Sequence, residues 1–137
     1  MERFWNQKGV AAVEFALVLP LLVMLAFGII EFSLLLYDKA VITNASREGA
    51  RAGIVSQSPR VADGDIQTVV DNYCKSFLIT FSTGTIPVTT VAREGVNFGD
   101  DLTVNVSYSY TFLILPQFVT GVTGPIDLTA TTVMRME

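Results

Sequence analysis

The sequence predicts an α+β protein. It has a long N-terminal transmembrane helix that continues out of the membrane and packs with a small antiparallel sheet and one short helix. Three observations carry this. An uncharged apolar run lies near the N-terminus, the stretch after it is free of proline and holds small residues four apart, and the last third alternates with a period of two.

The chain has 137 residues, half of them hydrophobic, with a mean hydropathy of +0.48. That length suits one small domain. The apolar excess is concentrated. From Phe15 to Ile30 sixteen residues carry no charge, and after Glu31 the run resumes as Phe-Ser-Leu-Leu-Leu-Tyr. At 1.5 Å per residue, Phe15 to Tyr37 is roughly 34 Å long, enough to cross a hydrocarbon core of about 30 Å. The expected organisation is a leader over residues 1–9, a transmembrane and extended helix over 10–57, and a small extracytoplasmic α+β domain over 58–137.

Within the helix, Pro20 removes one backbone donor and predicts a mild kink. Gly28 allows a neighbour to come close. Beyond Tyr37 the helical pattern continues, with Leu34, Val41, Ala45 and Ala52 at near-helical spacing. Ala45, Gly49 and Gly53 leave one stripe nearly bare, where another helix or a sheet can approach. Glu48 is placed to pair with Arg51, worth a few tenths of a kcal/mol. Pro59 is the stop signal.

A short amphipathic helix follows over 63–78, with Asp65 as N-cap and Ile66, Val69, Val70, Tyr73 and Phe77 as its apolar face. Three strands complete the domain: 85–93, 101–114 and 126–136. In the second, Leu102, Val104, Val106, Tyr108, Tyr110, Phe112 and Ile114 point one way. In the third, Ile126, Leu128, Ala130, Thr132 and Met134 do. Thr120 to Pro125 form a turn between them, and Asp100 and Asp101 a solvated turn before the second strand. A three-stranded sheet of this size has a marginal core, which packing on the long helix enlarges.

The apolar run is long for a signal core and no small-x-small cleavage site follows it, so the helix is expected to stay. Arg3, Lys8 and the terminal amine flank one end; Lys39, Arg47 and Arg51 follow the other. With a polar C-terminal part that has the look of an exported domain, the N-terminus is expected in the cytoplasm.

Net charge is −4 with scattered cations, which argues against a nucleic-acid surface. There is no histidine, and Cys74 is the only cysteine. Histidine-based triads, an internal disulfide and the usual zinc ligands are therefore excluded. No phosphate-binding glycine loop is present. An enzyme is not expected, nor a metal or cofactor.

Two carboxylates remain, Glu14 and Glu31. An ionisable group in a membrane helix is a functional candidate by default. Against this, Glu31 can face water at the outer interface, and Glu14 can snorkel to the headgroups.

The stretch Lys8-Gly9-Val10-Ala11-Ala12-Val13-Glu14-Phe15 resembles the class III signal of type IV pilins and pseudopilins, and residues 8–54 resemble the TadE-like proteins of the tight-adherence (Tad, Flp) pilus system. The Ala-Ala-Val-Glu-Phe opening, the Gly-Ile-Ile-Glu-Phe step and the Ala-Ser-Arg-Glu-Gly-Ala-Arg-Ala-Gly end all fit. The resemblance implies a pilin-like fold and a minor pilin or pseudopilin role. It implies cleavage between Gly9 and Val10 by a membrane-embedded prepilin peptidase, which makes Glu14 the fifth residue of the mature chain. It further implies a bacterial inner-membrane location, with other pilin or pseudopilin subunits, the Tad inner-membrane machinery and the lipid bilayer as partners. TadF-like proteins share the N-terminal pattern. Val10, in place of the phenylalanine common in major pilins, leaves N-methylation open. After cleavage the Val10 ammonium and a neighbour's Glu14 would pair in an apolar bundle, where opposite charges attract strongly and an unpaired one is penalised. Pro20 would give a weak point for leaving the bilayer. An uncleaved bitopic scaffold protein is the alternative.

Overall fold

A computed structural model describes residues 3–80, 86–113 and 125–137, with side chains from Gly9 onward. One helix dominates it. α1 runs from Arg3 to Gly53 and stays helical through Pro20. One boundary differs from expectation: the helix, which takes in the leader from Arg3 onward, stops four residues before Gln57.

The early stop has a physical cause. The last carbonyls of a helix lack intrahelical partners. Here Arg60 Nη1 donates to Ile54 O at 3.2 Å and to Val55 O at 3.0 Å, and the Glu137 N–H donates to Ile54 O at 3.2 Å. Arg60 and Glu137 thus hold the carbonyls just past Gly53, before Pro59 is reached.

α2 spans Asp63–Phe77. Its N-cap is Ala62, with no side-chain cap, and Asp65 lies inside the first turn. The expected Asp65 cap is thus displaced. Asp63 and Asp65 instead place negative charge at the helix start, where the dipole favours it. The buried face is Ile66, Val70 and Cys74, whereas Phe77 is half exposed and Val69 only partly buried. Cys74 takes the position assigned to Phe77: the face that α2 lays on the core runs Ile66, Val70, Cys74, one residue in four.

The sheet has three antiparallel strands in the order β1-β2-β3. β1 is Val88–Arg93, β2 Asp101–Tyr110 and β3 Ile126–Arg135. β1 begins after Pro87, which has no N–H to give a ladder. β2 begins at Asp101, so only Asp100 stays in the turn. There its Oδ2 accepts the Asn97 N–H at 2.8 Å, beside Gly99 at a φ of 90°, a conformation glycine adopts freely. Val91 pairs with Val104, and Val106 with Ala130. Phe112 lies beyond the end of β2. The inward place assigned to Ile114 and the turn from Thr120 fall outside the described residues.

Alternation in β2 and β3 puts Leu102, Val104, Val106, Tyr108, Tyr110, Leu128 and Ala130 on the inner face, against Ile42, Ala45 and Ala50 of α1 and Ile66, Val70 and Cys74 of α2. The outer face is polar, with Asn105 bonded to Thr131 and Ser109 to Asp127, each at 2.7 Å.

Candidate functional site

α1 divides into two halves by what covers it. From Gly9 to Phe27 every residue is exposed, and so are Ile29 and Ile30. Glu31 is the first residue with no exposure at all, and from there to Gly53 one face is buried under the sheet and α2. The segment Gly9–Gly53 contains a helix long and apolar enough to cross a membrane. Gly9 to Ile30 is roughly 33 Å of helix, close to the thickness of a hydrocarbon core.

The N-terminal site residues lie on the exposed half. Gly9 has nothing within 4 Å of where a Cβ would stand. Val10 is 55% exposed. Glu14 follows one helical turn later, also exposed, so the Gly9–Val10 bond and the Glu14 carboxylate are open to an approaching molecule. Pro20 lies in the same uncovered stretch. Gly28 sits in a shallow apolar depression with Leu21, Met24, Leu25, Ile29 and Phe32. None of the described residues fills the space above Gly28 within 4 Å.

The small-residue stripe lies in the other half, and the chain fills it with its own side chains. Ala45 is fully buried. A Cβ on Gly49 would stand 2.5 Å from Val70 Cγ2. One on Gly53 would stand 2.5 Å from both Ile66 Cδ1 and Leu102 Cδ2. The stripe is the seat of α2 and β2, so it is not free for another subunit. The Glu48–Arg51 pair forms at 2.5 Å on the exposed side.

Polar links fasten the two parts where they meet. Tyr110 donates its hydroxyl to Glu31 Oε1 at 2.6 Å, and the Leu113 N–H donates to the same oxygen at 3.0 Å. The reading of Glu31 as a water-facing interfacial residue is corrected by this: burial and two donors from the sheet domain hold it. Burial, and then the bond to Glu31, keep the Tyr110 hydroxyl protonated far above its usual range. Two turns further, Asp38 is fully buried and accepts the Ile79 N–H at 3.1 Å. Tyr108 nearby is also pushed up, by burial and then by Asp38. Lys39 donates to Thr129 O, and Ser46 bonds Thr132 at 2.7 Å.

Glu31 was visible in the sequence as a charge inside an apolar run. Its partner was not, although Tyr110 stood on the inward face of β2. Asp38, Lys39 and Arg60 gave no signal, since their partners are backbone groups brought close only by the fold. Among the described residues no group of three or more acidic, cysteine or histidine side chains could hold a metal.

Residues 9–51 match the family model described as TadE-like protein. The match begins at Gly9 and covers both the exposed half of α1 and its buried continuation. No curated protein and no solved structure matches the chain. The match implies involvement in a Tad pilus system, and the helix fits a single-pass membrane protein of such a system.

Proposed function

We propose that a chain with this TadE-like helix acts as a minor pilin or pseudopilin-like membrane component of a Tad/Flp-type pilus. Its role is structural and not enzymatic. A prepilin peptidase cuts it between Gly9 and Val10, and other pilin-like subunits and the inner-membrane machinery are its partners. The N-terminus faces the cytoplasm and the sheet domain lies outside.

The observation that supports this most is where the match starts: at Gly9, the residue before the proposed cut, on a helix that none of the described residues covers for about 33 Å. Glu14 supports it further. It is exposed at a depth where an ionised carboxylate without a partner is costly. A neighbour's Val10 ammonium removes that cost and sets the register between helices.

The test is complementation of a strain lacking the gene, with surface pili scored by microscopy. Glu14→Gln is expected to leave the protein in the membrane at normal abundance and to lower the pilus count. Wild-type pilus numbers with Glu14→Gln would point to the uncleaved scaffold protein instead.

A further inference from the structure

Position along α1 fixes where the sheet meets the bilayer. Glu31 accepts both the Tyr110 hydroxyl and the Leu113 N–H, so the last residues of β2 stand level with Glu31. The side of α1 turned away from the sheet is still apolar at this level and above it, with Phe32, Leu36 and Tyr37 exposed. Lys39 is the first basic residue after Lys8. The lipid-compatible face thus reaches Tyr37, about 9 Å above Glu31 along the axis. If that face is in lipid, the end of the sheet cannot stand clear of it.

The sheet's two ends differ in charge. At the Glu31 end, Leu113 is 51% exposed and Phe112 packs edge-on against Tyr110 at 5.6 Å. The sequence from Leu102 to Ile126 contains no charged residue. At the opposite end stand Arg93, Glu94, Asp100, Asp101 and Arg135. Asp127, the nearest charge on the sheet itself, lies on the polar outer face and is bonded to Ser109, and Glu31 at this end is buried under Tyr110 and Leu113.

We propose that this apolar end of the sheet is a second lipid-contacting surface. Phe112 and Leu113 enter the headgroup region on the domain's side of the bilayer, at the depth of Phe32 and Tyr37. The partner is the bilayer itself. Aromatic and aliphatic side chains are favoured in that layer. The domain is then held against the membrane in a fixed orientation and does not ride on a bare helical stalk. The inference rests on reading α1 as a membrane span.

The experiment uses the full chain in vesicles of phosphatidylcholine and phosphatidylglycerol. Trp5 is the only tryptophan, so a Trp5→Phe background accepts single reporters. Leu113→Trp tests the surface, Leu36→Trp tests the same layer from the helix side, Leu25→Trp marks the span, and Phe98→Trp marks the charged end, where Phe98 is 85% exposed. Lipids brominated high on the acyl chain should quench Leu113→Trp and Leu36→Trp, while aqueous iodide should quench Phe98→Trp alone. Iodide quenching of Leu113→Trp as strong as that of Phe98→Trp, with no effect of brominated lipid, would overturn the proposal. If Leu113→Trp fails to fold, Leu36→Trp decides on the same criterion. Loss of brominated-lipid quenching at Leu25→Trp would overturn the span, and this inference with it. Quenching at Leu25→Trp without quenching at the other two overturns this inference alone.

Discussion

Glu31 shows how one side chain can be costly by itself and stabilising in context. Two donors from the sheet domain converge on its Oε1. A buried bond to a charged group is worth more than a neutral one, and losing a donor leaves a desolvated acceptor behind. Tyr110→Phe keeps the ring and removes only the hydroxyl. It should lower unfolding free energy by about 1–3 kcal/mol, measured by denaturant unfolding of the detergent-solubilised protein. Cys74 makes a second residue-scale case. Burial, then Asp71, push its thiol from 9.0 to about 11. A thiol raised on folding contributes stability in full below the unfolded value and loses it as pH rises through the folded one. The domain should therefore weaken between pH 9.0 and about 11. At pH 8 Cys74 should react with a maleimide only after unfolding. Fast labelling of the native protein would contradict this burial.

At the scale of elements, the glycines of α1 serve different partners. Gly49 faces Val70, a β-branched residue with little rotamer freedom, at a distance no Cβ tolerates. Gly49→Ala should cost about 1–3 kcal/mol as overpacking, net of alanine's better helix propensity. Gly28→Ala should leave thermal unfolding of the domain unchanged, since no described residue lies within 4 Å of where its Cβ would stand. Thermal melts of the two variants side by side test this. The elements themselves were legible in the sequence because each has a strong period. Alternation named the inward residues of β2 from Leu102 to Tyr110 and of β3 at Leu128 and Ala130. The small-residue stripe announced a close approach without saying to what. The ends were less legible, because they depend on distant groups. Arg60 and the Glu137 N–H close α1 at Gly53, and Arg93 bonds Asp63 at 2.6 Å and Val61 O at 2.6 Å where α2 begins. No local signal encodes such pairings. The exchange of Cys74 for Phe77 has the same origin: helical period fixes a stripe, and what packs on α2, chiefly α1, decides which part of it is covered.

On the scale of the whole molecule, α1 does two jobs in sequence. Its first half is uncovered and apolar; its second half is a wall of the domain core. β2 runs back along it for ten residues, roughly 33 Å, close to the length of helix from Glu31 to Gly53. The domain is thus built onto the helix along its side, and any movement of the membrane half carries the sheet with it. In the role proposed above, that coupling passes helix position directly to the sheet domain. In the proposed role this helix is released from its leader at Gly9 and works in its processed form. The most direct measurement is the intact mass and N-terminal peptide of the native membrane-extracted protein, with and without the matching prepilin peptidase. The account predicts a chain beginning at Val10 only when the peptidase is present. A chain still beginning at Met1 beside an active peptidase would contradict it.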